Sequence, residues 1–133
     1  MKAAYRPNFE FIGYNMIIYV YGKCSTCQNA LKFLKAKEIS FIQREITETP
    51  PTISELGTML RYVEGDVKKL FNSSGLLYRE MQLTEKLKTM SEKEALKLLN
   101  SHGMLVKRPF LIGDDFGIIG FNAAKWSEKI LKA

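Results

Sequence analysis

The residues of this chain best suited to chemistry are two cysteines in the motif Cys-Ser-Thr-Cys at positions 24–27. The motif follows a short apolar run, residues 16–20, and precedes a stretch with helical periodicity, residues 28–37. Two thiols at this spacing can form a disulfide across one helical turn. The unpaired N–H groups and the positive dipole end at a helix N-terminus favour a thiolate over a thiol. Because the thiolate is the reactive form of cysteine, the position predicts a redox-active CxxC motif.

The two cysteines are expected to differ in role. Cys24 lies at the strand-to-helix turn, where backbone N–H groups converge, and Lys23 adds a nearby cation. We therefore expect Cys24 to be the nucleophile, and to be alkylated faster than Cys27 near neutral pH. Cys27 also falls on the apolar stripe of the helix, so it is either the redox partner of Cys24 or a small buried core residue.

A disulfide framework or a metal centre is not expected from two cysteines and one histidine. Cysteines in this number in a cytoplasmic protein favour catalytic or redox-sensing roles. A zinc site needs about four ligands, and His102 is the only histidine in the sequence. His102 continues the apolar stripe of its predicted helix, and we expect a hydrogen-bonded residue at the helix end rather than a base.

The elements that must position the motif form a β-α-β unit. Residues 16–21 (MIIYVY) are mostly β-branched and aromatic and predict a buried strand. Apolar residues then recur at helical spacing through residues 27–34, and residues 41–46 alternate as a second strand. Two strands joined by a helix are expected to be parallel, with a right-handed crossover.

The rest of the chain predicts helices followed by a hairpin. Capping-box patterns at residues 52–55 and 91–94 open two helices, with short helices between them. Residues 110–112 and 117–119 flank a turn and predict an antiparallel hairpin, and Asn122 caps a final helix. The order is βαβ, a helical insertion, then ββα. This α/β order is typical of a thioredoxin-like fold, a mixed sheet flanked by helices.

Length and composition limit the possible architecture. The chain has 133 residues, of which 46% are hydrophobic, enough for one globular domain with a core. We expect residues 16–133 to form that domain and residues 1–15 to be a flexible extension. Residues 1–15 lack the continuous apolar segment of a signal peptide, and no apolar run approaches the roughly 20 residues that cross a bilayer. A cytoplasmic protein without membrane contact is therefore expected.

The charge of the chain is basic, with 20 Lys and Arg against 14 Asp and Glu and a formal net charge of +6. Such an excess suits nucleic acid, acidic partners or anionic substrates. The lysines are spread along the chain and mixed with glutamates, a pattern typical of solvated helix faces. No motif that combines aromatic and basic residues stands out, so direct nucleic-acid binding is not expected.

Two further segments carry polar groups near the predicted sheet. Arg108-Pro109 precedes the third strand, and in thioredoxin-like proteins a cis-proline precedes this strand and faces the active cysteine. Arg108 would then lie near Cys24 and could bind an oxyanion or a carboxylate as a bidentate fork. From local sequence alone, Arg108 is a surface arginine before a trans-proline. Residues 72–74 (Asn-Ser-Ser) either offer amide and hydroxyl groups to a substrate or form a turn and a helix cap.

Four segments in this order resemble the ArsC/Spx family of glutaredoxin-like proteins: residues 21–27 (YGKCSTC), 70–79 (LFNSSGLLYR), 107–112 (KRPFLI) and 119–121 (IGF). The resemblance extends over about residues 16–131. Several motifs in the same order are specific, whereas the CxxC motif alone is a weak signal. The resemblance implies a thioredoxin-like fold with a helical insertion and a nucleophilic first cysteine.

In arsenate reductases of this family the first cysteine attacks arsenate, and glutathione with glutaredoxin completes the reduction to arsenite. Three arginines bind the oxyanion in these members. Arg108 matches one of them, and the other two positions hold Asn72 and Gly120. Each missing charge-assisted contact is worth on the order of 1.5–3 kcal/mol. The resemblance implies a thiol oxidoreductase of the arsenate reductase type, acting on an oxyanion or a disulfide, with Cys27 as the resolving thiol.

The resemblance also sets expectations for the site and its partners. The catalytic residues are Cys24, Cys27 and Arg108, and the substrate-binding residues are Lys23, Ser25, Thr26, Asn72 and Pro109. No bound cofactor is expected, and glutathione with glutaredoxin, or thioredoxin, would supply electrons. The alternative is the Spx branch, whose members use the CxxC motif as a disulfide switch and bind the C-terminal domain of the RNA polymerase α subunit. The similarity of residues 72–79 to the reductase-like members favours the enzyme.

Overall fold

A computed structural model describes residues 16–131 of the chain. Within that part, strands and helices follow one another in the predicted βαβ, helical, ββα order. The strands are β1 (Ile17–Val20), β2 (Ile42–Glu45), β3 (Phe110–Ile112) and β4 (Gly117–Ile119). The helices are α1 (Ser25–Ala36), α2 (Ile53–Tyr62), α3 (Leu76–Glu80), α4 (Leu83–Lys86), α5 (Glu92–Ser101) and α6 (Ala123–Trp126), the last continuing as a π-helix over Ser127–Leu131. The predicted flexible extension, residues 1–15, lies outside the described residues.

The strands form one mixed sheet in the order β2-β1-β3-β4. β1 pairs with β2 in parallel, with Ile17 opposite Ile42, which confirms the predicted parallel unit. β3 pairs antiparallel with both β1 and β4, so the predicted hairpin is also present. The thioredoxin-like fold is confirmed, and the helical insertion, α2 to α5, lies between β2 and β3.

The sheet separates two apolar cores, because successive side chains of a strand point to opposite faces. Ile18 and Val20 pack on the side of α1 and α6, where Leu34 and Trp126 are fully buried. Tyr19, between them in β1, belongs to the core formed with the inserted helices. The insertion therefore covers one face of the sheet, and α1 with α6 covers the other.

Helices α2 and α5 begin with capping boxes, as predicted. Thr52 Oγ1 accepts the N–H of Glu55 at 3.0 Å, and Glu55 Oε1 accepts the N–H of Thr52 at 3.0 Å. Ser91 and Glu94 form the same pair of bonds at 3.1 and 3.0 Å. A cap of this kind is worth about 1 kcal/mol, so each box fixes the start of its helix. Glu55 also accepts the phenol O–H of Tyr19 at 2.7 Å, which ties α2 to β1.

Short helices fill the segment between α2 and α5. The sequence favours them at residues 66–71, 76–82 and 84–89, and the structure has a 3₁₀ turn at Val67–Leu70 followed by α3 and α4. Leu83 of α4 is fully buried, which anchors this segment in the core on the insertion side. No helix within residues 16–131 is both long enough and apolar enough to cross a membrane.

The prediction that His102 continues the apolar stripe of α5 is wrong. α5 ends at Ser101, and His102 is its C-cap, with φ −134° and ψ 88°. The buried residues of α5 are Ala95, Leu96 and Leu99, whereas His102 is exposed. Because the backbone leaves the helix at His102, the spacing that places residues on one helix face no longer applies there.

Candidate active site

Cys24 is the N-cap residue of α1. Its backbone is extended, with φ −96° and ψ 117°, and its Sγ accepts the N–H of Cys27 at 3.3 Å. The sulfur thus takes the place of the serine, threonine or aspartate oxygen that usually caps a helix. Cys24 is half-buried, so its sulfur lies at the positive end of the helix and is still partly accessible.

Hydrogen bonds from two neighbouring elements hold the turn before α1. The N–H of Cys24 donates to the carbonyl of Tyr21 at 3.0 Å and closes the turn. Glu45 of β2 accepts the N–H of Gly22 through Oε1 at 3.2 Å. Gln28 of α1 donates from Nε2 to the carbonyl of Gly22 at 3.2 Å. The position of the sulfur is therefore set by β1, β2 and α1 together.

The pKa of the Cys24 thiol lies below its ordinary value of 9.0. Partial burial raises the pKa, but the other contacts outweigh that effect. The thiol and the N–H of Cys27 donate to the sulfur, the Arg108 guanidinium attracts its negative charge, and the N–H of Thr26 also donates to it. All of these contacts favour the thiolate. This is the environment that a nucleophilic cysteine requires.

Cys27 has the opposite environment. It is fully buried, with Ala30 and Leu31 in the core beneath α1. Burial raises the pKa of its thiol to about 12, and the neighbouring Cys24 adds to the rise. The two roles left open by the sequence are compatible, because Cys27 is a core residue and also contacts Cys24. Both cysteines are free thiols in this structure.

Arg108 is held beside Cys24 by two contacts. Its Nη1 donates to the carbonyl of Met104 at 3.2 Å, and its Cζ lies 5.1 Å from the centroid of the Tyr21 ring. The Arg108–Pro109 bond is cis, as in the thioredoxin-like pattern, and Pro109 is buried. The structure thus brings together Cys24, Cys27 and Arg108, the three residues predicted to be catalytic.

Tyr21 is a site residue that the sequence argument missed. Its ring packs on the Arg108 guanidinium, an arrangement in which the ring face attracts the cation. Tyr21 also closes the turn that ends at Cys24 through its carbonyl. The sequence feature that could have identified Tyr21 is its position at the end of the β1 apolar run, directly before the Gly-Lys-Cys turn.

The predicted substrate-binding residues occupy different places. Ser25 and Thr26 are the first residues of α1 and are exposed, and Lys23 is exposed in the preceding turn. Thr26 and Arg108 both line a cavity of about 380 Å³. The cavity therefore reaches the second residue of α1, although Cys24 itself is not among its lining residues.

Asn72 is not among the residues that line this cavity. Its N–H donates to the carbonyl of Leu105 at 2.7 Å, and its Oδ1 accepts the hydroxyl of Ser74 at 3.4 Å. These bonds suit the turn role that the sequence left open as an alternative. Substrate binding by Asn72 stays a prediction.

Gly120 lines the cavity and has a left-handed backbone, with φ +78°. Its N–H donates to the carbonyl of Pro109 at 2.8 Å, and its carbonyl accepts the Trp126 indole N–H at 3.0 Å. A positive φ favours glycine. An arginine at this position would strain the backbone. Replacing Gly120 by the arginine of the arsenate reductases would therefore also require a change in backbone conformation.

No group of three or more His, Cys, Asp or Glu side chains within residues 16–131 is arranged to hold a metal ion. The reactive groups that the site does present are the two thiols and the nearby positive charge of Arg108. A CxxC motif at the start of α1 and a cis-proline before β3, on a mixed four-stranded sheet, define a thioredoxin-like thiol protein.

The chain belongs to the ArsC family, whose family model matches residues 19–129. It is 43% identical over 116 residues to the uncharacterized protein YusI of Bacillus subtilis, an alignment that spans 86% of this chain and 97% of YusI. It is 25% identical over 105 residues to the global transcriptional regulator Spx of the same organism, spanning 79% of each chain. The chain is thus similar both to an uncharacterized protein and to a regulator of transcription.

Among solved structures, the chain is similar to one described as a possible arsenate reductase from Streptococcus mutans. The identity is 36% and the TM-score is 0.77, with 83% of this chain and 93% of that chain covered. The predicted ArsC/Spx resemblance is thus confirmed by both sequence and fold.

Proposed function

We propose that this protein is a dithiol oxidoreductase in which Cys24 attacks an oxidised substrate and Cys27 resolves the resulting adduct. The observation that carries the proposal is the inequality of the two thiols. Cys24 has a lowered pKa and partial exposure, whereas Cys27 is buried and has a pKa of about 12. A nucleophile must be deprotonated before the substrate arrives, and a resolving thiol must stay unreactive until then.

With a disulfide substrate the reaction has two exchange steps. The Cys24 thiolate attacks one substrate sulfur, forms a mixed disulfide and releases the other sulfur as a thiolate. Cys27 then passes its proton to the thiolate released in the first step, directly or through water, and attacks the Cys24 sulfur. This attack forms the Cys24–Cys27 disulfide and releases the second substrate thiolate. The substrate gains two electrons and the protein loses two. An external reductant, glutathione with glutaredoxin or thioredoxin, restores the two thiols.

Arg108 supports this chemistry by stabilising negative charge at Cys24. An oxyanion such as arsenate would use the same arginine, but the resemblance assigns three arginines to the arsenate site and this chain has Asn72 and Gly120 at the other two positions. The missing contacts would weaken oxyanion binding by several kcal/mol, at about 1.5–3 kcal/mol each. The disulfide is therefore the better supported substrate.

Two assays test the proposal on the same preparations. NADPH oxidation is followed with arsenate, glutathione, glutaredoxin and glutathione reductase, and separately with a peptide disulfide as the substrate. We expect turnover of the disulfide that disappears in Cys24→Ser, and little arsenate turnover above that control. The Cys27→Ser variant should accumulate a mixed disulfide at Cys24, visible by mass spectrometry. Absence of both turnover and adduct would refute the proposal, and efficient arsenate turnover would shift it to the oxyanion.

A second candidate function comes from the similarity to Spx. In that case the Cys24–Cys27 pair would act as a disulfide switch that controls binding to the C-terminal domain of the RNA polymerase α subunit. The two free thiols in contact support a switch as well as an enzyme. Pull-down of the α C-terminal domain with oxidised and with reduced protein separates the candidates. Absence of binding in both states would eliminate the regulator.

A further inference from the structure

A row of lysines lies along two adjoining cavities beside the candidate active site. The first cavity, of about 380 Å³, and a second, of about 450 Å³, share three lining residues, namely Lys107, Ile119 and Lys125. Lys68 and Lys69 line the second cavity and not the first. We call this surface the lysine trough and define it by Lys68, Lys69, Lys107 and Lys125.

Backbone hydrogen bonds bring these distant parts of the sequence together. The N–H of Lys107 donates to the carbonyl of Leu70 at 2.9 Å, which places the 3₁₀ turn carrying Lys68 and Lys69 beside the segment before β3. On the other side, the Trp126 indole donates to the carbonyl of Gly120 and fixes α6, which carries Lys125, to the end of β4.

Positive side chains dominate the lining of the trough, and a carboxylate, that of Asp66, lies beside it and accepts the backbone N–H of Lys68 at 3.3 Å. Neither cavity has an Asp or Glu among its lining residues, whereas Arg108 adds a fifth cation. The Lys88–Glu85 ion pair does not involve the trough. Clustered charge of one sign attracts ligands of the opposite sign and accelerates their association.

Cys24 lines neither cavity, and the trough approaches it through two neighbouring residues. The end formed by the first cavity includes Thr26, the second residue of α1, and Arg108, whose charge acts on Cys24. The other end includes Ser73 and the 3₁₀ turn. A ligand that extends along the trough would therefore present one part of itself to Cys24 while the remainder contacts lysines.

The chemistry of the lining favours an extended acidic chain over a single compact anion. Lysines are flexible point charges without the planar fork of arginine, so a row of them suits several separated carboxylates. The first cavity is also lined by the apolar residues Ile118, Ile119 and Phe121. Such residues can contact the backbone and the aliphatic parts of a peptide.

We propose that the lysine trough docks an acidic peptide segment of a protein substrate and delivers a disulfide within or next to that segment to Cys24. This inference names the substrate class of the function proposed above and rests on it. The exchange step is the one already described: Cys24 bonds to one substrate sulfur and the other sulfur leaves as a thiolate.

The kinetic test uses Cys27→Ser protein, so that only the first exchange occurs. Short synthetic peptides carry one cysteine as a mixed disulfide with 5-thio-2-nitrobenzoate, flanked by Asp and Glu, by Asn and Gln, or by Lys. Attack of Cys24 on the peptide sulfur releases the coloured thiolate. We expect the acidic peptide to react about tenfold faster than the neutral one at low salt, with the advantage shrinking as ionic strength rises.

Two variants with four substitutions each test whether the rate advantage of the acidic peptide depends on the trough. Both variants lose the same amount of positive charge. The trough variant replaces Lys68, Lys69, Lys107 and Lys125 by Gln. The control variant replaces the exposed Lys86, Lys93, Lys97 and Lys129 by Gln. The ratio of acidic to neutral rates should fall toward one in the trough variant and stay near its original value in the control variant. Equal ratios in the two variants would overturn the proposal.

A binding measurement makes the docking claim independent of the redox chemistry. The acidic peptide with Ser in place of its Cys, labelled with fluorescein, is titrated with full-length protein and followed by fluorescence anisotropy. Binding that is lost in the trough variant but kept in the control variant supports docking. If such binding is seen but no peptide disulfide reacts, the proposed function is refuted and the docking proposal is not. Stronger competition by inorganic polyphosphate or single-stranded RNA than by unlabelled acidic peptide would overturn the choice of occupant.

Discussion

The order in which the two cysteines react with an alkylating reagent is a direct test of the site. Fully reduced protein is treated briefly with iodoacetamide at pH 7, and the modified residue is mapped by mass spectrometry. We expect label on Cys24 well before label on Cys27. Cys24 is partly exposed and has a lowered pKa, whereas Cys27 is buried and resists losing its proton.

The magnitude follows from the two pKa values. Burial raises the pKa of Cys27 to about 12, and the pKa of Cys24 lies below 9.0. At pH 7 the thiolate fraction of Cys24 therefore exceeds that of Cys27 by at least about 1000-fold. The more basic Cys27 thiolate is intrinsically more nucleophilic. With a Brønsted coefficient of about 0.4–0.5, the Cys27 thiolate would react roughly 15 to 30 times faster than the Cys24 thiolate, which offsets part of the difference in thiolate fraction. The net preference for Cys24 is at least about 30-fold, before the burial of Cys27 is counted.

Two controls separate environment from intrinsic reactivity. In urea-unfolded protein both cysteines should react at similar rates. In folded Cys24→Ser, Cys27 should stay slow, because burial is the largest cause of its raised pKa and that burial is unchanged. Equal labelling of Cys24 and Cys27 in the folded protein would refute the assigned roles. Rapid labelling of Cys27 in Cys24→Ser would show that its core position does not protect it.

Two further predictions concern the support of the site. Tyr21→Leu removes the ring on which Arg108 packs, so the pH profile of Cys24 alkylation should move to higher pH, whereas Tyr21→Phe should keep it in place; an unmoved profile in Tyr21→Leu contradicts the role. Gly103→Ala would put a Cβ into the backbone carbonyl oxygen of Ile46, just after β2, and 2.9 Å from the carbon of that carbonyl. Because backbone rather than a flexible side chain must move, urea unfolding should show a loss of at least about 1–3 kcal/mol. The matched Gly57→Ala, whose Cβ would meet an α5 side chain at 3.9 Å, should gain about 0.5–1 kcal/mol. Equal effects of the two alanines would argue that the chain adjusts freely around residue 103.

Local signals in the sequence were sufficient to predict most of the fold. The β1-α1-β2 unit follows from residue periodicity, and the starts of α2 and α5 follow from capping boxes, because these patterns depend on neighbours within one turn. Cys24 could be placed at a helix N-terminus for the same reason. His102 shows the limit of this reasoning. Periodicity assigns it to a buried face, but the helix ends one residue earlier.

The proximity of Arg108 to Cys24 was predicted from the pattern of thioredoxin-like proteins, but other contacts between distant segments could not be predicted from the sequence. The packing of Arg108 on the Tyr21 ring joins residues that are 87 positions apart in the sequence (108 − 21). The lysine trough likewise depends on the 3₁₀ turn, the segment before β3, and α6 meeting at one end of the sheet. In the sequence these lysines are typical of solvated helix faces, and their clustering depends on the tertiary fold rather than on any local pattern.

The positive charges near Cys24 are of two kinds, and the difference bears on catalysis. Arg108 is fixed by the Met104 carbonyl and the Tyr21 ring, so it can stabilise the thiolate without rearranging when a substrate arrives. The trough lysines are exposed or at the rim of open cavities, and their charge acts on parts of a substrate away from the reacting sulfur. Contacts of that second kind raise the rate of encounter and select among substrates. The reactivity of the sulfur and the choice of substrate would therefore respond to different mutations, the first to Tyr21 and Arg108 and the second to the lysine trough.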